Sequence, residues 1–128
     1  MASTFLISLA VNLVWEHAHA FLYLRTSYLT NQWYTLPGAA ILDAIYVTAI
    51  IFIFRKKPVW VKALIAVLLS VFMELLALKF NWWGYRNLMP TVPYLNIGLS
   101  PLIQLGATVY IVQYLRAGAL KSPSASKS

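Results

Sequence analysis

Three acidic residues occur in this chain of 128, Glu16, Asp43 and Glu74, and its two histidines, His17 and His19, follow closely on the first of them. All three acids interrupt apolar runs, most visibly in "LVWEHAHAFLYL", residues 13 to 24. A carboxyl group taken out of water holds its proton more tightly. A proton held in this way can be delivered to an alkene. A second carboxyl and nearby aromatic faces then stabilise the carbocation through charge and cation–π attraction. Glu16, Asp43 and Glu74 are the candidate catalytic acids, with His19 beside them. Trp33, Tyr46, Trp83 and Tyr85 are candidate binding aromatics. The indicated chemistry is acid–base work on a lipophilic, isoprenoid-like molecule, with no cofactor.

Other chemistries use the same residues. Glu16-x-x-His19 has the i, i+3 spacing of carboxylate-bridged di-metal bundles. Those sites need a second Glu-x-x-His, and no other histidine exists here, so the metal alternative is a single ion on Glu16 and His19 with the other acids. A membrane-embedded Glu in a first helix also suits a proton-coupled transporter of small or lipophilic cations, built as a homo-oligomer. Carboxyls and amides can instead hydrogen-bond helices together, at about 0.6 kcal/mol a pair, as in an accessory subunit of a larger membrane complex. His17 lies about 100° around a helix from Glu16, so it belongs to an interface more readily than to a ligand set.

The elements that must carry these groups are transmembrane helices. Hydrophobic residues make up 61% of the chain and charged residues 10%, and the mean hydropathy is +0.71, whereas soluble domains run near half apolar and a quarter charged. Four apolar runs, 4–24, 36–54, 58–78 and 98–115, each approach the ~20 residues that span a bilayer. The expected fold is an all-α integral membrane four-helix bundle, one domain over residues 1–120 with a disordered polar tail at 121–128. Pro37 and Pro58 should open helices two and three, and Ser100 with Pro101 should start the regular part of helix four. Residues 1–15 carry no Lys or Arg, unlike the charged start of a signal peptide. There are no cysteines.

The net charge of +7 reads as topology rather than as nucleic-acid binding. Arg55, Lys56, Lys57, Lys62, Arg116, Lys121 and Lys127 flank the second connection and the last helix, against Arg25, Lys79 and Arg86 elsewhere. This bias puts both termini on the cytoplasmic side, in the inner (plasma) membrane of a bacterial or archaeal cell. The expected partners are membrane lipid and a lipophilic small molecule.

With that orientation the acids form a layer. Glu16 lies 8 residues from Leu24, Asp43 7 from Leu36, Glu74 4 from Leu78 and Gln104 6 from Gly98, a band roughly 6–12 Å below the outer interface. Ser8, Asn12, Glu16, His19 and Tyr23 make a polar stripe at helical spacing, as do Ser70, Glu74 and Asn81, and Ser100, Gln104 and Thr108. Charge facing lipid costs about 2.5–3.5 kcal/mol or more, so the stripes should face one buried chamber.

The third connection, "KFNWWGYRNLMPTVPYLNIGLSP", has too many turn formers for a plain linker. It is expected to fold as a short aromatic cap, with Asn96 contributing and Arg86 folding back to pair with Glu74 or Asp43. Its pattern, Glu74, Trp83, Tyr85, Met89-Pro90, Pro93, Gly98, Pro101 and Gln104, resembles small bacterial multi-pass membrane proteins, a resemblance that implies no activity. The segment is also loosely similar to carotenoid cyclase and hydratase domains, which have a helix-end Glu followed by an aromatic W/G-x-Y segment and prolines. The Pro-x-Glu-Glu of the cyclases is absent.

Overall fold

The computed structural model describes residues 1–24 and 32–121. They are helical, with no strand beyond two isolated bridges. Helix α1 spans Ala2–His19 and continues into a 3-10 turn, Ala20–Leu22. The others are α2, Gln32–Ile53, α3, Val59–Lys79, and α4, Leu99–Lys121. Three stretches, Ala2–Leu22, Thr35–Ile53 and Val59–Lys79, are long and apolar enough to cross a membrane. The tail at 122–128 and the side chain of Trp33 lie outside the described residues.

Several boundaries differ from the sequence expectation, each for a local reason. Helix α1 stops before Leu24 because Tyr23 turns extended. Leu24 N then donates to Gly84 O (2.8 Å) and Arg86 N to Leu22 O (2.8 Å), tying the helix end to the third connection. Helix α2 begins ahead of Pro37, which sits inside it and withholds one N–H from the helical ladder. Helix α4 begins at Leu99, so Ser100 and Pro101 lie in its first turn, and it runs on to Lys121. Lys62, expected to flank a connection, is buried in the first turns of α3.

Asn81 does not extend the polar stripe of α3. Its φ is 53°, while Trp82 N bonds Ala77 O (2.9 Å) and Asn81 N bonds Leu78 O (3.2 Å). That pair of bonds around a left-handed residue is the Schellman stop. It turns the chain sharply out of α3 into the connection.

Helix α1 packs along α2 and α3 along α4, α1 touches α4, and α2 and α3 make little contact. The apolar core gathers around Val47, Ile50, Ala66, Leu105, Val109 and Val112. A Cβ on Gly106 would come within 2.8 Å of Val67 Cγ2 and 3.5 Å of Ala63 O, so glycine is what lets α3 and α4 approach. The exterior is apolar: Leu64, Leu68, Phe72 and Leu75 on α3 are exposed, while Ser70 and Glu74 are buried. On α1, Leu6 and Val14 are exposed while Ser8, Asn12 and Glu16 are buried. Polar groups inside and apolar groups outside is the pattern hydrocarbon surroundings select.

Candidate functional site

Helical spacing brings the first polar cluster together. Asn12, Glu16 and His19 face inward from α1, Asp43 comes from α2, and Gln104 and Thr108 from α4. The Gln104 amide is the hub: Nε2 donates toward Glu16 Oε1 (2.7 Å), Asp43 Oδ2 (2.8 Å) and Asn12 Oδ1 (3.1 Å). Glu16 Oε1 and Asp43 Oδ2 therefore meet on one amide nitrogen. Asn12 in turn donates to Ser8 O (3.0 Å), and Thr108 Oγ1 to Gln104 O (2.8 Å). One amide has two N–H donors, so three acceptors compete for them. Two facing carboxyls make a hydrogen bond when one of them carries a proton.

Glu74 is held differently. The Schellman stop at Asn81 swings the chain back so that Trp83 Nε1 donates to Glu74 Oε2 (3.2 Å) and the Tyr85 hydroxyl donates to the same oxygen. Burial, and then the Glu74 carboxyl, push the Tyr85 phenol above its usual range, which keeps it a donor. Tyr23 is pushed up by burial in the same way; its ring leans on Tyr85 (5.6 Å between centroids), Trp83 (6.2 Å) and His19 (5.3 Å). Gly98 seals this corner. A Cβ there would lie 3.1 Å from both Met89 Sδ and Tyr85 Cε1.

Glu16, Asp43 and Gln104 of the first cluster and Glu74 and Trp83 of the second line one cavity of about 630 Å³. Residues of all four helices and of the third connection wall it, Tyr46, Ser70, Trp82 and Arg86 among them, whereas Asn12, His19, Thr108 and Tyr85 stand behind that wall. The chain matches no family model, no curated protein and no solved structure.

Some residues singled out in the sequence stand elsewhere. Arg86 makes no ion pair with Glu74 or Asp43; among the described residues the one close acid–base pair is His19 Nε2 to Glu16 Oε2, 3.6 Å. The guanidinium is exposed at the cavity rim because residue 86 is fixed through its backbone to Leu22, and neutral donors serve Glu74 in its place. His17 is exposed, its Nδ1 2.7 Å from Leu13 O of its own helix, and does not reach the cavity. Asn96 is an exposed turn residue with φ 54°, bonded N to Val92 O. Among the described residues no three His, Asp or Glu side chains form a metal-binding group. His19 is buried with Nδ1 lacking a partner, packed edge-on to Trp15 at 6.4 Å.

Tyr23, Thr35, Ser70 and Met73 line the cavity without having been candidates. Tyr23 had a signal, since it closes the spacing series of Asn12, Glu16 and His19. Ser70 had one too, standing one turn before Glu74 on the same polar stripe, whereas Thr35 and Met73 had none beyond lying on the same helices.

Proposed function

We propose that the four helices cross the membrane as a bundle, that residues 80–98 form an aromatic cap on its outer end, and that the cavity beneath performs acid–base chemistry on a lipophilic, isoprenoid-like molecule. The observation that carries this reading is the convergence of three carboxyls on one cavity, two of them meeting on one amide nitrogen and the third fixed by a phenol and an indole. The apolar exterior of α4, including Ile103, Tyr110, Ile111, Tyr114 and Leu115, supports a fourth crossing.

The roles follow from the hydrogen bonds. Glu16 and Asp43 share a proton, which one of them delivers to a carbon of a C=C bond; a C–H bond forms and the neighbouring carbon becomes cationic. The rings of Tyr46 and Trp83 face that cation. Glu74 carries both of its donors on Oε2, so Oε1 takes a proton from the adjacent carbon and a shifted double bond is left. General acid–base groups so placed contribute about 10²–10⁴-fold.

Membranes bearing the protein, incubated with geranylgeraniol in heavy water, should place deuterium on carbon, read by mass spectrometry. Asp43→Asn and Glu74→Gln should abolish that signal while the proteins still fold. Absence of carbon-bound deuterium with the unaltered protein would sink the catalytic reading. A second reading, proton-coupled transport of a lipophilic cation, is favoured by the carboxyl pair lying beside aromatic rings in an open cavity. It is tested by pH-driven uptake of ethidium into proteoliposomes.

A further inference from the structure

The cavity has a mouth, and the mouth has a chemical character. Phe21, Leu24, Leu42 and Trp82 line the cavity and are also exposed on the molecule's exterior, at 58%, 48%, 42% and 38%. A side chain that is both wall and surface stands at an opening. These four are apolar or aromatic, and they come from the end of α1, from α2 and from the third connection. In a bilayer such an opening faces acyl chains, so what enters is a lipid moving sideways.

One group at the rim fits no part of the acid–base scheme. Among the described residues Arg86 is the single cation lining a cavity with three acids, and its guanidinium has no ion-pair partner among them. The acids take their donors from Gln104, Trp83 and Tyr85. Arg86 is also held at a fixed height: its N–H bonds Leu22 O, six residues beyond Glu16, which is about 10 Å along the axis at ~1.5 Å per residue as far as His19 and ~2.0 Å through the 3-10 turn. A fork of N–H donors matches a phosphate group. It stands at the depth where a lipid head lies when the chain reaches down toward the carboxyls.

We propose that the cavity binds a single-chain lipid with a phosphate-class head, the head on Arg86 and the unsaturated chain lying along the cavity past Gly38 and Leu42 toward Glu16 and Asp43. This rests on the cavity of the preceding reading, and it names the substrate class without depending on the proton transfer. Gly38 provides an independent handle on the chain region. It lines the cavity, and a Cβ there meets nothing within 4 Å, so a large side chain can be added without disturbing packing.

The experiment compares geranylgeranyl phosphate with geranylgeraniol as ligands of the full chain in phosphatidylcholine nanodiscs. The unaltered protein should bind the phosphate at least tenfold tighter. Arg86→Ala should remove that preference by weakening the phosphate far more than the alcohol, with an unchanged helical circular-dichroism signal reporting that the variant is folded. Arg86→Lys should keep part of the preference, and Gly38→Trp should weaken both ligands alike. Inorganic phosphate at millimolar concentration should not displace the lipid; displacement would mark a free-phosphate site and overturn the lipid assignment. Equal binding of the two ligands, or an Arg86→Ala effect common to both, would make Arg86 an interface anchor and overturn the proposal. Head-selective binding without carbon-bound deuterium would remove the chemistry and keep this inference. Deuterium incorporation without head selectivity would do the reverse.

Discussion

Glu16 with Asp43, and Glu74 across the cavity from them, are carboxyls in the same environment held in opposite ways. The first two are placed by helices alone. They project from α1 and α2 at inward-facing positions and meet the Gln104 amide from α4. Glu74 also projects from a helix, but its partners come from irregular chain that has turned back over the end of α3. The helical cluster has more acceptors than donors. The Glu74 site has two donors on one oxygen. A donor-poor cluster is where a proton is shared, and a donor-rich one is where an oxygen position is fixed, so the two regions suit the giving and the taking of a proton.

The strongest way to break this comparison is at Gln104. Gln104→Leu keeps the side-chain size but removes the donor that Glu16, Asp43 and Asn12 share. A buried acceptor stripped of its donor costs about 1–3 kcal/mol; with the carboxyls still able to bond each other, the expected loss is about 2–3 kcal/mol, measured by thermal unfolding in detergent. A loss below about 0.5 kcal/mol, the range of ordinary surface changes, would mean that the amide hub is not what joins α1, α2 and α4.

At Glu74 the expected balance is reversed. Tyr85→Phe removes one of two donors, and Trp83 still serves the same oxygen, so stability should fall by only about 1 kcal/mol. Carbon-bound deuterium should fall far more, by about tenfold or above, as for a displaced general base. Equal small effects on both readouts would leave Tyr85 a packing residue and erase the contrast between the two sites.

The same contrast explains what the sequence could reveal. Glu16, Asp43 and Gln104 were legible because a helix converts spacing into direction: residues three and four apart share a face, and depth can be counted from the run's end. The inward placement of Ser8, Asn12, Glu16 and His19 follows from that rule with nothing added. Tyr85 and Trp83 could be named as aromatics near the site, but their bonds to Glu74 could not, because residues 80–98 have no period relating position to direction. Charge alone pairs Arg86 with a carboxylate, but charge says nothing of where the backbone puts the residue. Two hydrogen bonds to the end of α1 decide where that residue stands. The early end of α1 was hidden for the same reason, since Tyr23 leaves the helix for a partner 62 positions away, Tyr85.

A smaller effect tests how the irregular half is aimed. Asn81 holds the left-handed conformation that ends α3 and starts the return toward Glu74. A left-handed residue with a Cβ is disfavoured by about 1–2 kcal/mol, asparagine less than most because its side chain bonds locally. Asn81→Ala should therefore cost about 1 kcal/mol and loosen Trp83 and Tyr85 together, whereas Asn81→Gly should be neutral or stabilising. Intrinsic tryptophan fluorescence, shifting in the alanine variant and not in the glycine variant, is the check. Both variants should leave the Gln104 cluster intact.

The smallest effect separates the two histidines, which are neighbours in sequence and lie on different faces of α1. His17 is exposed and bonds only the carbonyl one turn below it, a contact the helix does not need because that carbonyl is already part of the ladder. His17→Ala should change stability by less than about 0.5 kcal/mol and leave carbon-bound deuterium unchanged. His19 is buried against Trp15 and Tyr23 with Nε2 beside Glu16. Its ring therefore spaces the helical cluster from the aromatic one, and His19→Gln should disturb both readouts. If His17→Ala lowers deuterium incorporation as much as His19→Gln does, the proton path runs along the outer face of α1 rather than through the cavity. The division between a proton-sharing and a proton-accepting region would then have to be redrawn around His17.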